Sequence, residues 1–287
     1  MIPVLDGLDL HVPAGLDDAL RMLASGDARP FAGGTDLMVL LDAGRLPPGR
    51  YVSLWELAEL RGIREEPRGG VSIGALVTFS EIRRSHAMAE RYPMLCAAAA
   101  QIGGVATQNR ATIGGNIANA SPAADAPPAL VAYDAEIELL SLDGVRRLPY
   151  AGFHTGYKQM QLARGEIVSR VLLPARDRGW RDGYRKVGTR RAQAISKVCV
   201  AGSIRLDGDI VSDIRLVLGS VAPTVVRCRT AEAALRGRSI TDETVDRAAQ
   251  ALLADIAPID DIRSTAAYRR SVAQNLLSAF LRPADQK

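Results

Sequence analysis

A chain of 287 residues, 47% hydrophobic and 24% charged, is long enough to bury two cores and needs neither disulfides nor a structural metal to hold them. Its 36 Lys+Arg against 32 Asp+Glu leave a net charge of +4, scattered in pairs such as Arg83 and Arg84 or Arg190 and Arg191, and aromatics are 5%. A nucleic-acid face, which needs a basic stripe or stacking rings, is therefore not expected. In chain order, residues 1–13 lack the basic segment and apolar core of a secretory leader. Leu8 to Val12 reads as extended and Leu16 to Leu23 as helical. Arg29 to Ala32 then reads as a strand running into Gly33 and Gly34, with Thr35 placed to cap an apolar helix. Tyr51 to Leu54 suits another strand, and Ile63 to Glu66 with Gly70 to Leu76 a hairpin about Pro67, Arg68 and Gly69. Thr78 to Ile102 is helical in pattern, with Thr78 and Ser80 as candidate caps and Pro93 opening a second helix. The longest apolar run, Met94 to Ala106, is too short for a membrane span and reads as a buried helix. Gly103 to Pro128 is too polar and broken for a core element and too long for a plain connector. Strands follow at Ala135 to Ser141 and Gly165 to Leu173, a boundary at Ala175 to Asp182, then strands at Gly183 to Val187, Lys197 to Leu206 and Ile210 to Gly219. Helical spacing fills Thr230 to Leu235, Thr241 to Leu253 and Thr265 to Leu281.

Chemistry concentrates in two segments. The first comprises Phe31, Ala32, Gly33, Gly34, Thr35, Asp36 and Leu37, where paired glycines let successive amides turn toward one point. The second, Thr112 to Asp125, combines Gly114 and Gly115 with side-chain donors at Thr112, Asn116, Asn119 and Ser121. No lysine or arginine lies between Arg29 and Arg45 or from Ala111 to Val145, so a diphosphate shared by the loops is expected to rest on amides and hydroxyls. Asp125, read as an unpaired carboxylate, suits sugar or ribityl hydroxyls. Taken alone, the first segment is as well explained by a capped turn, whereas the second concentrates too many donors for an irregular surface connector. Cys96, Cys199 and Cys228 are never C-x-x-C, and His11, His86 and His154 form no ligand set, so no metal or cluster site is expected in this chain. A reducing cytoplasm fits that cysteine usage. There is no G-x-G-x-x-G, P-loop lysine or nucleophile elbow, which favours cofactor chemistry over side-chain hydrolysis.

AGGTDL at Ala32 to Leu37 and TIGGNIANASPAAD at Thr112 to Asp125 resemble the two flavin loops of the molybdenum hydroxylase flavin subunits, the xanthine and carbon monoxide dehydrogenase type. GYKQMQLARGEIVSRVLLP (Gly156 to Pro174) and GYRKVGTRRAQAISKV (Gly183 to Val198) resemble xanthine dehydrogenases more closely than other branches. The resemblance implies an α+β chain. Residues 1–176 form a PCMH or vanillyl-alcohol-oxidase type FAD-binding domain of two α/β subdomains, about 1–57 and 58–176. Residues 177–287 form a C-terminal α+β domain of a short antiparallel sheet with helices. It further implies that Phe31 to Leu37 and Thr112, Ile113, Gly114, Gly115 and Asn116 cradle the pyrophosphate and adjoining sugar. Asp125 would hydrogen-bond FAD, Ile102 and Val168 pack against it, and Lys186 approach the flavin ring. The residues alone suggest core packing for Ile102 and Val168 and a solvated strand lysine for Lys186.

No histidine or cysteine is placed for covalent attachment, so the resemblance implies non-covalent FAD. Molybdopterin and iron-sulfur clusters belong to partner chains: a large molybdopterin subunit and a small two-iron subunit, in a dimer of heterotrimers. Electrons then pass from cluster to FAD to an acceptor, NAD by preference, in a complex hydroxylating a purine or other N-heterocycle. A carbon monoxide or aldehyde dehydrogenase-type complex is the alternative. An autonomous flavin oxidoreductase would need a substrate pocket with a positioned base, which the sequence does not offer. Two expectations follow: the glycine turns adjoin in space, and Gly114→Val removes FAD while sparing the fold.

Overall fold

The computed structural model describes residues 7–282; residues 1–6, part of the segment read for a leader, and 283–287 lie outside them. β1 (Leu8–His11), α1 (Leu16–Ala24), β2 (Ala28–Phe31), α2 (Leu37–Asp42) and β3 (Gly49–Ser53) build a parallel sheet in the order β1-β3-β2. Parallel neighbours need crossovers, which the two helices supply. Ala19, Leu20 and Leu23 of α1 pack on Val52, Leu54, Leu57 and Leu60, and Leu76 and Ile167 from the next sheet complete that core. The two subdomains thus share apolar packing across residue 57.

The hairpin is present as β4 (Ile63–Glu65) and β5 (Val71–Gly74). The helical stretch after it is three helices, not two: α3 (Phe79–Arg84), α4 (His86–Arg91) and α5 (Pro93–Ala100). Thr78 caps α3 in a capping box with Glu81, and Ser85, extended at ψ 117°, ends α3 and caps α4. Ser80, the other candidate cap, lies within α3 and donates to Asn109 Oδ1 at 2.5 Å. The stretch from Gly103 to Pro128 is more ordered than its composition suggests. It holds α6 (Val105–Gln108) and α7 (Ile113–Ala118) and leads into α8 (Ala126–Ala132), every residue of which is buried. Pro127 and Pro128 fall in the first turn of α8, where a missing amide removes no helical bond.

β6 (Glu136–Ser141), β7 (Gly144–Pro149), the small hairpin β8 (His154–Gly156) and β9 (Gln159–Met160), and β10 (Ile167–Leu173) follow. They give an antiparallel sheet β4-β5-β10-β6-β7 whose inner strand β5 is buried along its length. The chain then forms β11 (Trp180–Val187), β12 (Val198–Asp207), β13 (Ile210–Gly219) and β14 (Val226–Arg227), antiparallel in that order. Helices α9 (Arg229–Leu235), α10 (Asp242–Ala251) and α11 (Ala266–Leu281) pack on this sheet.

β11 starts at Trp180, inside the expected boundary segment, because its alternating side chains bind both halves of the molecule. Asp182 accepts from the Tyr133 hydroxyl at 2.9 Å, and the Tyr184 hydroxyl donates to the Asp125 carbonyl at 3.1 Å. On the other face, Gly183 and Gly202 make room for Phe280: a Cβ at either position would lie 2.8 or 2.6 Å from its ring. Arg176 grips Asp182 through Nη1 at 2.6 Å and Nη2 at 3.0 Å, with 12% and 7% of the two side chains exposed. Arg176→Met should strand that carboxylate and cost about 3 kcal/mol of stability, read as a lower denaturation midpoint with an unchanged denaturant slope.

Candidate functional site

β2 delivers Phe31 to a turn in which Gly34 sits at φ +77°, a region that side chains resist, with the Phe31 ring beside it. The amides of Ala32, Gly33, Gly34, Thr35, Asp36 and Leu37 have no acceptor among the described residues. Pairing resumes only with Met38 N–H to the Gly34 carbonyl at 2.8 Å. Thr35 does not cap α2; Asp36 is the cap residue and no side chain bonds the first turn. The Leu37 amide therefore stays in the unpaired run, the arrangement that binds anions through main-chain dipoles.

The second loop differs. Thr112 Oγ1 accepts the Gly115 amide at 3.1 Å, Ile113 N–H goes to the Val77 carbonyl at 3.0 Å, and Gly114 N–H goes to the Ala75 carbonyl at 2.9 Å. The Asn116 amide is taken by the Thr112 carbonyl at 2.9 Å. The expected convergence of amides from both glycine pairs is thus corrected: those of the second loop hold α7 against the end of β5. A Cβ on Gly114 would stand 2.6 Å from that of Ala75, so Gly114→Val disrupts this packing before it meets any ligand. What the second loop leaves open is the Asn116 side chain, whose Oδ1 is buried without a partner. Such a group costs roughly 1–3 kcal/mol unless a donor reaches it.

The two loops do adjoin. A Cβ at Gly33 would fall 1.8 Å from the Arg110 carbonyl oxygen, and Asn119 Nδ2 donates to Asp36 Oδ1 at 2.9 Å. Four residues passed over in the sequence surround the junction. The Arg110 guanidinium lies 3.7 Å from the centre of the Trp55 ring, which Arg61 also covers at 4.7 Å. Lys158 Nζ donates to the Asn119 carbonyl at 2.7 Å and to Asn119 Oδ1 at 2.5 Å. The loops lack cations along the chain but not in space, and no local signal marks Lys158, which arrives on the β8–β9 hairpin.

A second cluster forms where α5, α8 and β11 meet. Asp125, read as unpaired, accepts from Lys186 Nζ at 2.6 Å and Ser196 Oγ at 2.6 Å, while Lys186 also donates to the Gln101 carbonyl at 3.0 Å. The Lys186 side chain is 6% exposed, so it is not a solvated strand lysine. Burial pushes the Asp125 carboxyl above its ordinary range, with Lys186 and Ser196 acting against that rise. Ile102 and Val168 are buried in one core, Val168 next to Ser169, whose carbonyl takes the Ala75 amide at 2.9 Å. Lys186 thus meets the second loop only at its last residue, Asp125; among the described residues no hydrogen bond or ion pair joins it to Phe31–Leu37 or Thr112–Asn116.

Comparison with known proteins decides the family. The family described as the FAD binding domain in molybdopterin dehydrogenase matches residues 6–176, and the CO dehydrogenase flavoprotein C-terminal domain matches residues 183–284. The chain belongs to the FAD-binding subunits of the molybdenum hydroxylases. This flavin subunit is 34% identical to the xanthine dehydrogenase FAD-binding subunit of Escherichia coli O157:H7, over 95% of the chain and 94% of that protein. It is equally 34% identical to the glyceraldehyde dehydrogenase medium chain of Sulfolobus acidocaldarius, over 92% and 94%. The solved carbon monoxide dehydrogenase of Hydrogenophaga pseudoflava superposes with a TM-score of 0.92 at 33% identity, covering 97% of this chain and 96% of that one. Its fold is therefore that of a carbon monoxide dehydrogenase flavin chain, and near-equal identities do not separate the substrate branches.

The buried pair gives this flavin subunit a pH signature. In Lys186→Met the Asp125 carboxyl loses its counter-charge and its folded-state pKa rises further above the unfolded value of about 3.9. The folded state then binds the proton more tightly, so the variant should be most stable at acid pH and lose stability as pH rises. Thermal unfolding of apoprotein and variant across pH 4–8 reads this; a parallel pair of profiles contradicts it.

Proposed function

We propose that this flavin subunit holds FAD non-covalently, with the diphosphate on the unpaired amides of Ala32 to Leu37, and passes electrons between an iron-sulfur partner and a soluble acceptor. The observation that carries the reading is that unpaired run lying against a second loop whose buried Asn116 Oδ1 also lacks a partner. On this reading Phe31 to Leu37 bind the pyrophosphate, and Thr112 to Asn116 contribute the Asn116 side chain and the close packing that places it. Ile102 and Val168 supply apolar walls. Asp125 and Lys186 form a fixed, charged boundary toward the C-terminal domain, with the division of the chain at 176/177. Bound FAD supplies the chemistry, taking electrons singly and releasing them as a pair. The protein positions the ring, excludes water and sets the local charge.

Relatives named as a medium chain or an FAD-binding subunit support a multi-subunit complex; on this reading its other members are a large molybdopterin subunit and a small two-iron subunit, in a dimer of such trimers in the cytoplasm. Among the described residues no helix is long and apolar enough to cross a membrane. Resemblance over Gly156 to Pro174 and Gly183 to Val198 favours a xanthine dehydrogenase-like complex, acting on a purine or other N-heterocycle with NAD as acceptor. Purified full chain should bind one FAD, released intact by denaturation, and should co-purify with both partners when the three are expressed together. A preparation that takes up no flavin from excess FAD contradicts the reading.

A further inference from the structure

The unpaired amide run contains a liability of its own. Asp36 sits within it, and a carboxylate beside a diphosphate repels it in proportion to how poorly the pair is screened. Asp36 stands at the N-cap position of α2, but its side chain makes no capping bond, so its charge is not used to satisfy that helix. Its Oδ1 accepts from Asn119 Nδ2 at 2.9 Å instead, and Asn119 Oδ1 accepts from Lys158 Nζ at 2.5 Å. Only one orientation of the Asn119 amide serves both neighbours, since its oxygen must face the ammonium and its nitrogen the carboxylate.

The Lys158 ammonium is further fixed by the Asn119 carbonyl at 2.7 Å, and its main chain is held in the left-handed region at φ +57° in the turn between β8 and β9. Lys158 N–H also reaches the Ala120 carbonyl at 3.3 Å, so the hairpin docks on the residues that follow α7. Burial draws the Lys158 ammonium below its ordinary pKa, and the Asp36 charge works against that fall, which places the two within electrostatic reach. The chain of contacts joins the first loop, the end of the second loop and a hairpin distant in sequence.

We infer that Lys158 and Asn119 are positioning residues that orient and neutralise Asp36, so that the amide run of the first loop accepts a diphosphate despite the carboxylate within it. Lys158 acts through Asn119 and needs no contact with the ligand. The inference rests on the flavin reading above. Its signature is conditional: Lys158 matters for FAD because Asp36 is charged, and ceases to matter when that charge is removed.

The experiment is a double-mutant cycle on the deflavinated full chain, titrated with FAD and followed by quenching of flavin fluorescence. Lys158→Met should weaken the Kd by about five- to tenfold, the scale of a partly screened charge pair. Lys158→Arg should stay within about twofold of wild type, and Asp36→Asn, which keeps the main-chain amide and removes only the repelling charge, should bind more tightly than wild type. The Asp36→Asn/Lys158→Met protein should recover to within about twofold of Asp36→Asn. A loss that persists in the double variant overturns the inference and marks Lys158 as a direct ligand or a purely structural clamp. Weakened binding in Asp36→Asn alone also overturns it, because the carboxylate would then be serving the ligand. If the wild-type chain binds no FAD, the flavin reading itself fails, an outcome distinct from an additive cycle on a protein that does bind.

Discussion

The structure depends on one main-chain contact, the seating of Gly33 against the carbonyl of Arg110. Any side chain at residue 33 would occupy the volume of that oxygen, so the first glycine loop can lie against the second only as glycine. The contact brings a run of unpaired amides to a loop whose own amides are already bonded. Around it, the stack of Arg110 and Arg61 on Trp55 and the bond from Asn119 to Asp36 fix the relative position of two segments far apart in sequence.

The two glycine pairs consequently serve different ends. Gly33 and Gly34 shape a segment that leaves its amides free, with Gly34 in the left-handed region. Gly114 lets a helix approach the end of a strand closely enough for Ala75 to accept its amide. Similar residues in similar spacing thus leave amides free in one place and pack closely in the other. What differs is what the amides of each loop meet: no acceptor among the described residues for the first, the carbonyls of Ala75 and Val77 for the second.

A second dependence lies at the junction of the domains. β11 belongs to the C-terminal sheet, yet Asp182, Tyr184 and Lys186 all bond residues of the N-terminal domain. Burying charge there is costly unless it is paired, and both pairs are enclosed: Arg176 with Asp182 and Lys186 with Asp125. Such a junction resists sliding, because any displacement exposes a buried ion to an unmatched environment.

Much was legible in the sequence because it is local. Strand and helix periodicities, the Thr78 cap and the glycine pairs all follow from neighbours within a few residues, and the loop motifs carried the family. Side-chain periodicity could not show that Ser85 splits a helical stretch, since its extended backbone is compatible with the same apolar pattern. Nor could it show which amides stay free, whether Asp125 is paired, or that Lys158 and Arg110 border loops lacking cations of their own. Those depend on which distant groups arrive within a few ångströms, and hydrogen bonds and charges act at that range irrespective of separation along the chain. The sequence by itself determined the main strands and helices, the α+β class and the family; only the tertiary structure decided which polar groups were satisfied internally and which were left without a partner.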